Sequence, residues 1–224
     1  MSETKPSVAV VGGTGALGGA LARRWARAGY RVIVGSRDAD KAREAARQLT
    51  ATAGSQIDGA SNAEAARSGD LVVVTVPWGA QEGTLAEIRA EVQGKIVVDA
   101  TVPLVPPKVM RVQLPPDGCA AVRAQRLLGE GVRVVAAFHN VAAHKLATDA
   151  VIDCDVLVFG DQKEARETVI ALATAAGLRG LHGGALPNSA AAEALTSVLI
   201  FINKTYQVDG AGIRISGELQ PLDS

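Results

Sequence analysis

Aromatic side chains are scarce in this chain: two Trp, two Tyr and three Phe make up 3% of its 224 residues. Such a core must be filled by aliphatic side chains and alanine, which let helices lie close to a sheet. Hydrophobic residues reach 48%, enough for a substantial core. Net charge is also missing, with 23 basic residues against 23 acidic ones. That balance excludes a general electrostatic grip on nucleic acid or on an anionic membrane. No apolar run reaches membrane-spanning length, and the stretch Val198 to Ile202 stops at Asn203-Lys204. Cys119 and Cys154 are the only cysteines, and neither belongs to a cluster with metal-ligand spacing. No metal site is expected, and a reduced, cytoplasmic chain is. The start, Met1 to Ser7, is short and polar with no signal-peptide pattern after it.

Several catalytic patterns are absent too. The Tyr-x-x-x-Lys pair of short-chain dehydrogenases does not occur: Tyr30 is followed by Val34 and Tyr206 by Gly210. No Ser or Cys stands in an activated nucleophile arrangement, so hydrolase chemistry has no support.

What is present begins eight residues in. Val8-Ala9-Val10-Val11 reads as a buried strand and runs into Gly12-Gly13-Thr14-Gly15-Ala16-Leu17-Gly18. Gly13, Gly15 and Gly18 spell G-x-G-x-x-G, followed by a helical run to Ala28, then Gly29 and a second strand, Arg31 to Val34. Strand, glycine turn, helix and strand in this order predict a dinucleotide site. Gly13 is assigned the tight turn, Gly15 the close approach of a pyrophosphate, and Gly18 the packing of helix on sheet. The helix start offers free N–H groups to the phosphates.

An acid is missing where an NAD-specific site places one, at the end of the second strand. Val34-Gly35-Ser36-Arg37 stands there instead. Ser36 can donate to a 2′-phosphate, Arg37 can grip it with a planar fork, and Lys41 adds charge one helical turn on. Asp38 and Asp40 are expected to cap the second helix and face away. NADPH is therefore the expected cofactor.

The rest alternates strands and helices. Helices are expected over Leu17–Ala28, Asp40–Thr52 and Asn62–Arg67, with Ile57 in a short strand. Leu71 to Val76 is a continuous β-branched run, as in a central parallel strand covered on both faces. After a further helix to about Glu91, strands follow at Lys95–Asp99, Arg133–Phe138 and, last, Val156–Phe159. A helix from Gln162 to Ala176, a glycine-rich link from Gly177 to Gly184 and a long helix from Asn188 to Tyr206 complete the pattern. Gly212 to Ser216 reads as a possible short strand. The fold class is α/β: a Rossmann-type, doubly wound, mainly parallel sheet with a small C-terminal helical or α+β domain. The domains are expected at 1–161 and 162–224.

In such a sheet, ligands bind beyond the C-terminal strand ends. Three ends carry unusual residues: Val76-Pro77-Trp78 after Thr75, Thr101-Val102 after Ala100, and His139-Asn140-Val141 after Phe138. Together they can form a pocket over the nicotinamide. Trp78 either stacks on a flat substrate or covers the strand end. His139 either contacts a substrate carbonyl, relays a proton, or is structural. The apolar face of the long helix, with Leu195, Val198, Leu199 and Ile202, is broad enough to need the first domain, a second subunit, or both.

At this point the chain resembles the NADPH-dependent coenzyme F420 reductases, also called F420-dependent NADP oxidoreductases. The matching stretches are Gly12 to Gly18, Gly35-Ser36-Arg37 with Lys41, Val76-Pro77-Trp78, Ala137-Phe138-His139 and Asp155 to Asp161. Leu186-Pro187-Asn188-Ser189 and Glu193-Ala194-Leu195-Thr196 also match, so the resemblance covers nearly everything after residue 7. It implies hydride transfer between nicotinamide C4 of NADP(H) and C5 of the F420 deazaflavin, in a homodimer. Thr14 would then lie near the phosphates, and Trp78, His139, Asn140 and Val141 would line the place where the rings stack. Two other readings share the glycine turn: an NADPH-dependent reductase of a small imine or keto substrate, and a non-enzymatic NADPH sensor. The first usually needs a larger helical domain than remains here. The second needs no second flat pocket.

Arg37 should set cofactor preference. Arg37→Ala is expected to raise the KM for NADPH at least tenfold, on the order of 1.5–3 kcal/mol for a charged bidentate contact, and to leave NADH nearly unchanged. Steady-state kinetics with both cofactors measure this, and equal losses would remove the assignment.

Overall fold

The computed structural model describes residues 5–220; the first residues of the polar lead and the last four of the chain lie outside it. The first strand, β1 (Val8–Val11), is wholly buried and sits at the centre of an eight-stranded sheet. To one side lie β2 (Val32–Ser36) and β3 (Ile57–Ser61); to the other lie β4 (Leu71–Val74), β5 (Ile96–Asp99) and β6 (Arg133–Ala136). These six are parallel, in the order β3-β2-β1-β4-β5-β6. The order reverses between β1 and β4, which opens a crevice beyond their C-terminal ends.

Two more strands extend the sheet. β7 (Asp155–Phe159) pairs antiparallel with β6, and β8 (Arg179–Gly184) pairs parallel with β7. Residues 179–184 thus form an edge strand where the sequence reads as a glycine-rich link. Glycine is needed there because β8 packs tightly: a Cβ at Gly180 would lie 3.1 Å from Ile170 Cα, and one at Gly183 would collide with the Phe159 ring. Residues 212–216 do not form the anticipated strand. They are tied to β7 instead, because Asp155 N–H donates to the Ile213 carbonyl and Ile215 N–H donates to the Asp155 carboxylate, both at 2.7 Å.

Helices cover both faces. α1 (Ala16–Arg27), α6 (Ala143–Leu146) and α7 (Lys163–Ala175) enclose one core, with Leu21, Trp25, Val98 and Val169 inside it. α3 (Asn62–Ser68), α4 (Trp78–Ile88), α5 (Ala120–Leu128) and the start of α8 (Ser189–Tyr206) enclose the other, with Ile88, Val97, Leu128 and Ala192. α2 (Ala39–Ala53) flanks β2 and β3.

Local signals explain the helix ends. Asp38 accepts from the N–H groups of Asp40 and Lys41, as an N-cap should, and Gly54 closes α2 in the left-handed region. Asp40 pairs with Arg43 at 2.6 Å instead of capping. Ser61 and Glu64 form a reciprocal capping box at α3.

Close packing makes opposite forecasts for two glycines. A Cβ at Gly59 of β3 would lie 2.5 Å from the Ala42 carbonyl oxygen and 2.6 Å from Arg43 Cα, so Gly59→Ala should destabilise by at least about 2 kcal/mol. Gly83, exposed on α4, has nothing within 4 Å of its would-be Cβ, and Gly83→Ala should stabilise by about 0.5–1 kcal/mol. Urea denaturation of the two variants checks both signs.

Candidate functional site

The turn out of β1 is built by crowding. Gly12 takes the left-handed conformation (φ +74°), so it, and not Gly13, supplies the turn's unusual backbone. Gly13 is glycine for a different reason: its Cβ would lie 2.7 Å from the Val10 carbonyl oxygen. A Cβ at Gly18 would collide with the Thr75 hydroxyl and lie 2.8 Å from Gly13 Cα, so α1 can approach the sheet only with glycine there. At Gly15 the would-be Cβ meets only the Gly12 carbonyl, at 3.4 Å, and the residue is exposed. The backbone is therefore open at the position assigned to a phosphate.

α1 starts at Gly15 with no side-chain cap. Its first N–H groups, from Ala16, Leu17 and Gly18, lack intrahelical acceptors by helix geometry and face an exposed turn. Thr14 is exposed beside them. This is the donor set that a pyrophosphate satisfies.

One cavity of about 180 Å³ gathers Gly12, Thr14, Gly15, Ser36, Arg37, Thr75, Val76 and Pro77, with Asn62, Ala80 and Thr84. Larger grooves of about 410 Å³ at α2 and β3, and about 670 Å³ along β8 and the tail, do not include the glycine turn. Arg37 is exposed, and Lys41, also exposed, lies 3.8 Å from Asp38. Asn62 carried no sequence signal beyond its place after the capping box. It is buried, accepts weakly from Gly12 N–H at 3.4 Å and donates to Glu87 at 3.2 Å. It thus steadies the turn from the adenosine side.

Trp78 opens α4, and the Arg123 guanidinium lies 4.4 Å from the centre of its ring while pairing with Glu82. One face of the indole is therefore occupied by a cation. Only the other face is free for a flat ligand. Thr101 is buried, its hydroxyl reaching the Val76 carbonyl at 3.5 Å, and Val102 is partly exposed beside it.

The third strand end is strained. Phe138 has φ +68°, which is uncommon for a bulky residue. Its ring meets Trp25 edge to face, with centroids 5.8 Å apart, and Trp25 is fixed by a 2.8 Å bond from its indole N–H to the Leu172 carbonyl. The bend sends the next two residues toward α8. The His139 carbonyl accepts from the Thr196 hydroxyl at 3.0 Å, and the Asn140 amide donates to the Ala192 carbonyl at 2.8 Å and to Thr196 at 3.1 Å. Asn140 is thereby committed to clasping α8. Val141 is buried next to it.

The His139 ring is buried, and among the described residues no group bonds either of its nitrogens. The nearby Asp99 carbonyl raises its basicity only slightly. Burial dominates and pushes its pKa down to about 4, so the imidazole is neutral at physiological pH. Two carboxyls lie behind the strand ends. Burial pushes Asp99 up to about 6, and burial together with the charge of Asp99 pushes Glu193 up to about 7. Sequence patterns gave no sign of this pair. Among the described residues no group of acidic, histidine or cysteine side chains could hold a metal ion, and no helix is long and apolar enough to cross a membrane.

Comparison with known proteins agrees with this geometry. The family described as NADP oxidoreductase coenzyme F420-dependent matches residues 7–103. An F420-dependent NADP reductase of Methanothermobacter thermautotrophicus is 44% identical over 93% of this chain and 94% of its own length. One from Methanocaldococcus jannaschii is 39% identical over 93% of this chain and 97% of its own. The chain belongs to the F420-dependent NADP reductase family. It is an oxidoreductase. Among solved structures, a putative F420-dependent NADP reductase from an Arthrobacter species shares the fold with a TM-score of 0.83 at 23% identity, covering 95% of this chain and 100% of that one. An imine reductase from Myxococcus stipitatus aligns with a TM-score of 0.61 at 21% identity, over 91% of this chain but 62% of that one.

The buried imidazole has a pH consequence. Its folded pKa lies below the ordinary 6.5, so neutral His139 contributes stability that is full above pH 6.5 and is lost as pH falls toward 4. His139→Gln should therefore lose less stability than the natural chain across that window. Urea midpoints at pH 6.5 and pH 4 measure the difference; equal losses would mean a solvated ring.

Proposed function

We propose that the cleft at the strand ends binds NADP(H) and F420 face to face, and that this oxidoreductase passes hydride reversibly between nicotinamide C4 and deazaflavin C5. The observation that carries the reading is one cavity joining an open, uncapped glycine turn to Ser36, Arg37, Val76 and Pro77. Family membership at 39–44% identity over nearly the whole chain supports the same reaction.

Each part of the cleft has a task that its chemistry fits. Gly13, Thr14, Gly15, Ala16, Leu17 and Gly18 present backbone N–H groups to the pyrophosphate. Ser36, Arg37 and Lys41 hold the 2′-phosphate, which a carboxylate at that position would repel. Val76, Pro77, Trp78, Thr101 and Val102 confine the nicotinamide. His139, Asn140 and Val141 border the second ring, with His139 neutral and its ring nitrogens unpaired, as fits orientation of a polar ring edge. Hydride transfer between stacked rings requires distance, angle and exclusion of water more than an acid or base. The segment 162–224 closes the F420 side through α8.

A homodimer is part of this reading. Val198, Phe201 and Tyr206 are exposed on α8, with Phe201 half-exposed at 52%, and a two-fold contact would cover them. Free, buried Cys119 and Cys154 fit a reducing, cytoplasmic setting.

Absorbance of the purified protein with NADPH and F420 tests the reaction. The oxidised deazaflavin band should disappear in step with NADPH oxidation, and light scattering should report about twice the 23.0 kDa chain mass. NADPH binding without loss of that band would leave a cofactor-binding protein and overturn the reading.

A further inference from the structure

Between the sheet and α8 lies a buried polar cluster that hydride transfer does not itself consume: Gln81, Asp99, Ser189 and Glu193. Glu193 is 2% exposed. α5 has no cap from its own N-cap residue, Cys119. Glu193 supplies one from another element, accepting from Ala120 N–H at 2.6 Å and Ala121 N–H at 3.2 Å, with the Ser189 hydroxyl donating at 3.1 Å. The Ala120 carbonyl then accepts from the Gln81 amide at 3.1 Å, and the same amide donates to Asp99 at 2.5 Å. Asp99 accepts from Thr101 N–H at 2.9 Å, and the Thr101 hydroxyl reaches Val76. An unbroken chain of bonds runs from α8 to the loops after β4 and β5. Near Glu193, Ala192 and Thr196 clasp Asn140 and His139 after β6.

We propose that Glu193 is a positioning residue for hydride transfer. Its carboxyl holds α8, α5 and the three strand-end loops in one frame, and so sets the spacing between the two ring sites. This rests on the reading of the cleft above. Misplacing reacting atoms by about 1 Å costs on the order of a hundredfold in rate. NADPH affinity draws on the glycine turn and Arg37, which the chain of bonds does not touch.

Two variants test this in the full-length protein. Glu193→Gln keeps the shape but replaces one acceptor oxygen with a donor amide facing backbone N–H groups. Gln81→Met keeps the volume and removes the central link. Stopped-flow transfer from NADPH to F420 should slow tenfold to a hundredfold in each, with the NADPH dissociation constant within about twofold of the natural chain. The double variant should be no more than about threefold slower than the slower single one, because both break one chain. Losses that multiply, or a folded Glu193→Gln with undiminished transfer, would overturn the proposal. A matching loss of NADPH affinity would make Glu193 merely structural. If Glu193→Gln fails to fold, Gln81→Met decides by the same two readouts. A natural chain that binds NADPH but never reduces F420 would overturn the cleft reading and this proposal with it; normal transfer with unaffected variants would overturn this proposal alone.

Discussion

The start of α1 lies so close to β1 and β4 that one methyl group at Gly18 would strike both the Thr75 hydroxyl and Gly13. Much of the site follows from that approach. It leaves the first N–H groups of α1 at the crevice between β1 and β4, where an anion meets several donors at once. It also seats the helix deeply enough to bury Leu21 and Trp25 completely. Trp25 in turn supports Phe138 in its left-handed conformation, and Phe138 turns His139 and Asn140 toward α8. A glycine near residue 18 and a histidine at 139 are thus parts of one packing problem.

The far end of the cleft is held by polar groups instead. Asp155 is fully buried and gives two short bonds, 2.7 and 2.6 Å, to Arg179, while also accepting from Ile215 N–H. The arginine and the backbone donor together hold its carboxyl below the usual range. Asp99 and Glu193 have no cation against them, so burial raises both. The contrast separates two uses of a buried acid. Asp155 anchors a tail with a paired charge. Glu193 organises backbone donors and shares its environment with a second carboxyl.

The parts of this architecture that could be read from sequence are those governed by near neighbours. Val8 to Gly18 and Arg31 to Arg37 announce strand, turn, helix and strand because each step has a local cause: burial, left-handed backbone, helix approach. Asp38 as a cap is local too. β8 could not be read this way, since Gly180, Gly183 and Gly184 lack the β-branched character of a strand and are demanded by α7 and Phe159, far away in sequence. The turn's left-handed residue was displaced by one, to Gly12, because G-x-G-x-x-G spacing does not say which glycine bends. Glu193 meets Ala120 across 73 residues, and no periodicity encodes such a bond. The occupied face of Trp78 depends on Arg123 of α5, again beyond any local pattern.

Fold likeness alone would not choose a reaction here. Imine reductases share the sheet and the turn at a TM-score of 0.61, but this chain spans only 62% of the Myxococcus enzyme. What remains after β7 is one helix, one edge strand and α8, too little for a separate helical domain around a small substrate. A flat acceptor changes the requirement. It can lie against the nicotinamide and needs only one more wall, and α8 with the loops after β5 and β6 supplies one. The absence of a charged acid at the ring site then has a physical sense. His139 is neutral, and Asp99 and Glu193 lie behind the loops, bonded to backbone. Charge is spent at the phosphate end, on Arg37 and Lys41, where affinity and cofactor choice are decided. At the hydride end, where the barrier responds to distance and alignment, the chain places rigid backbone and tightly packed side chains.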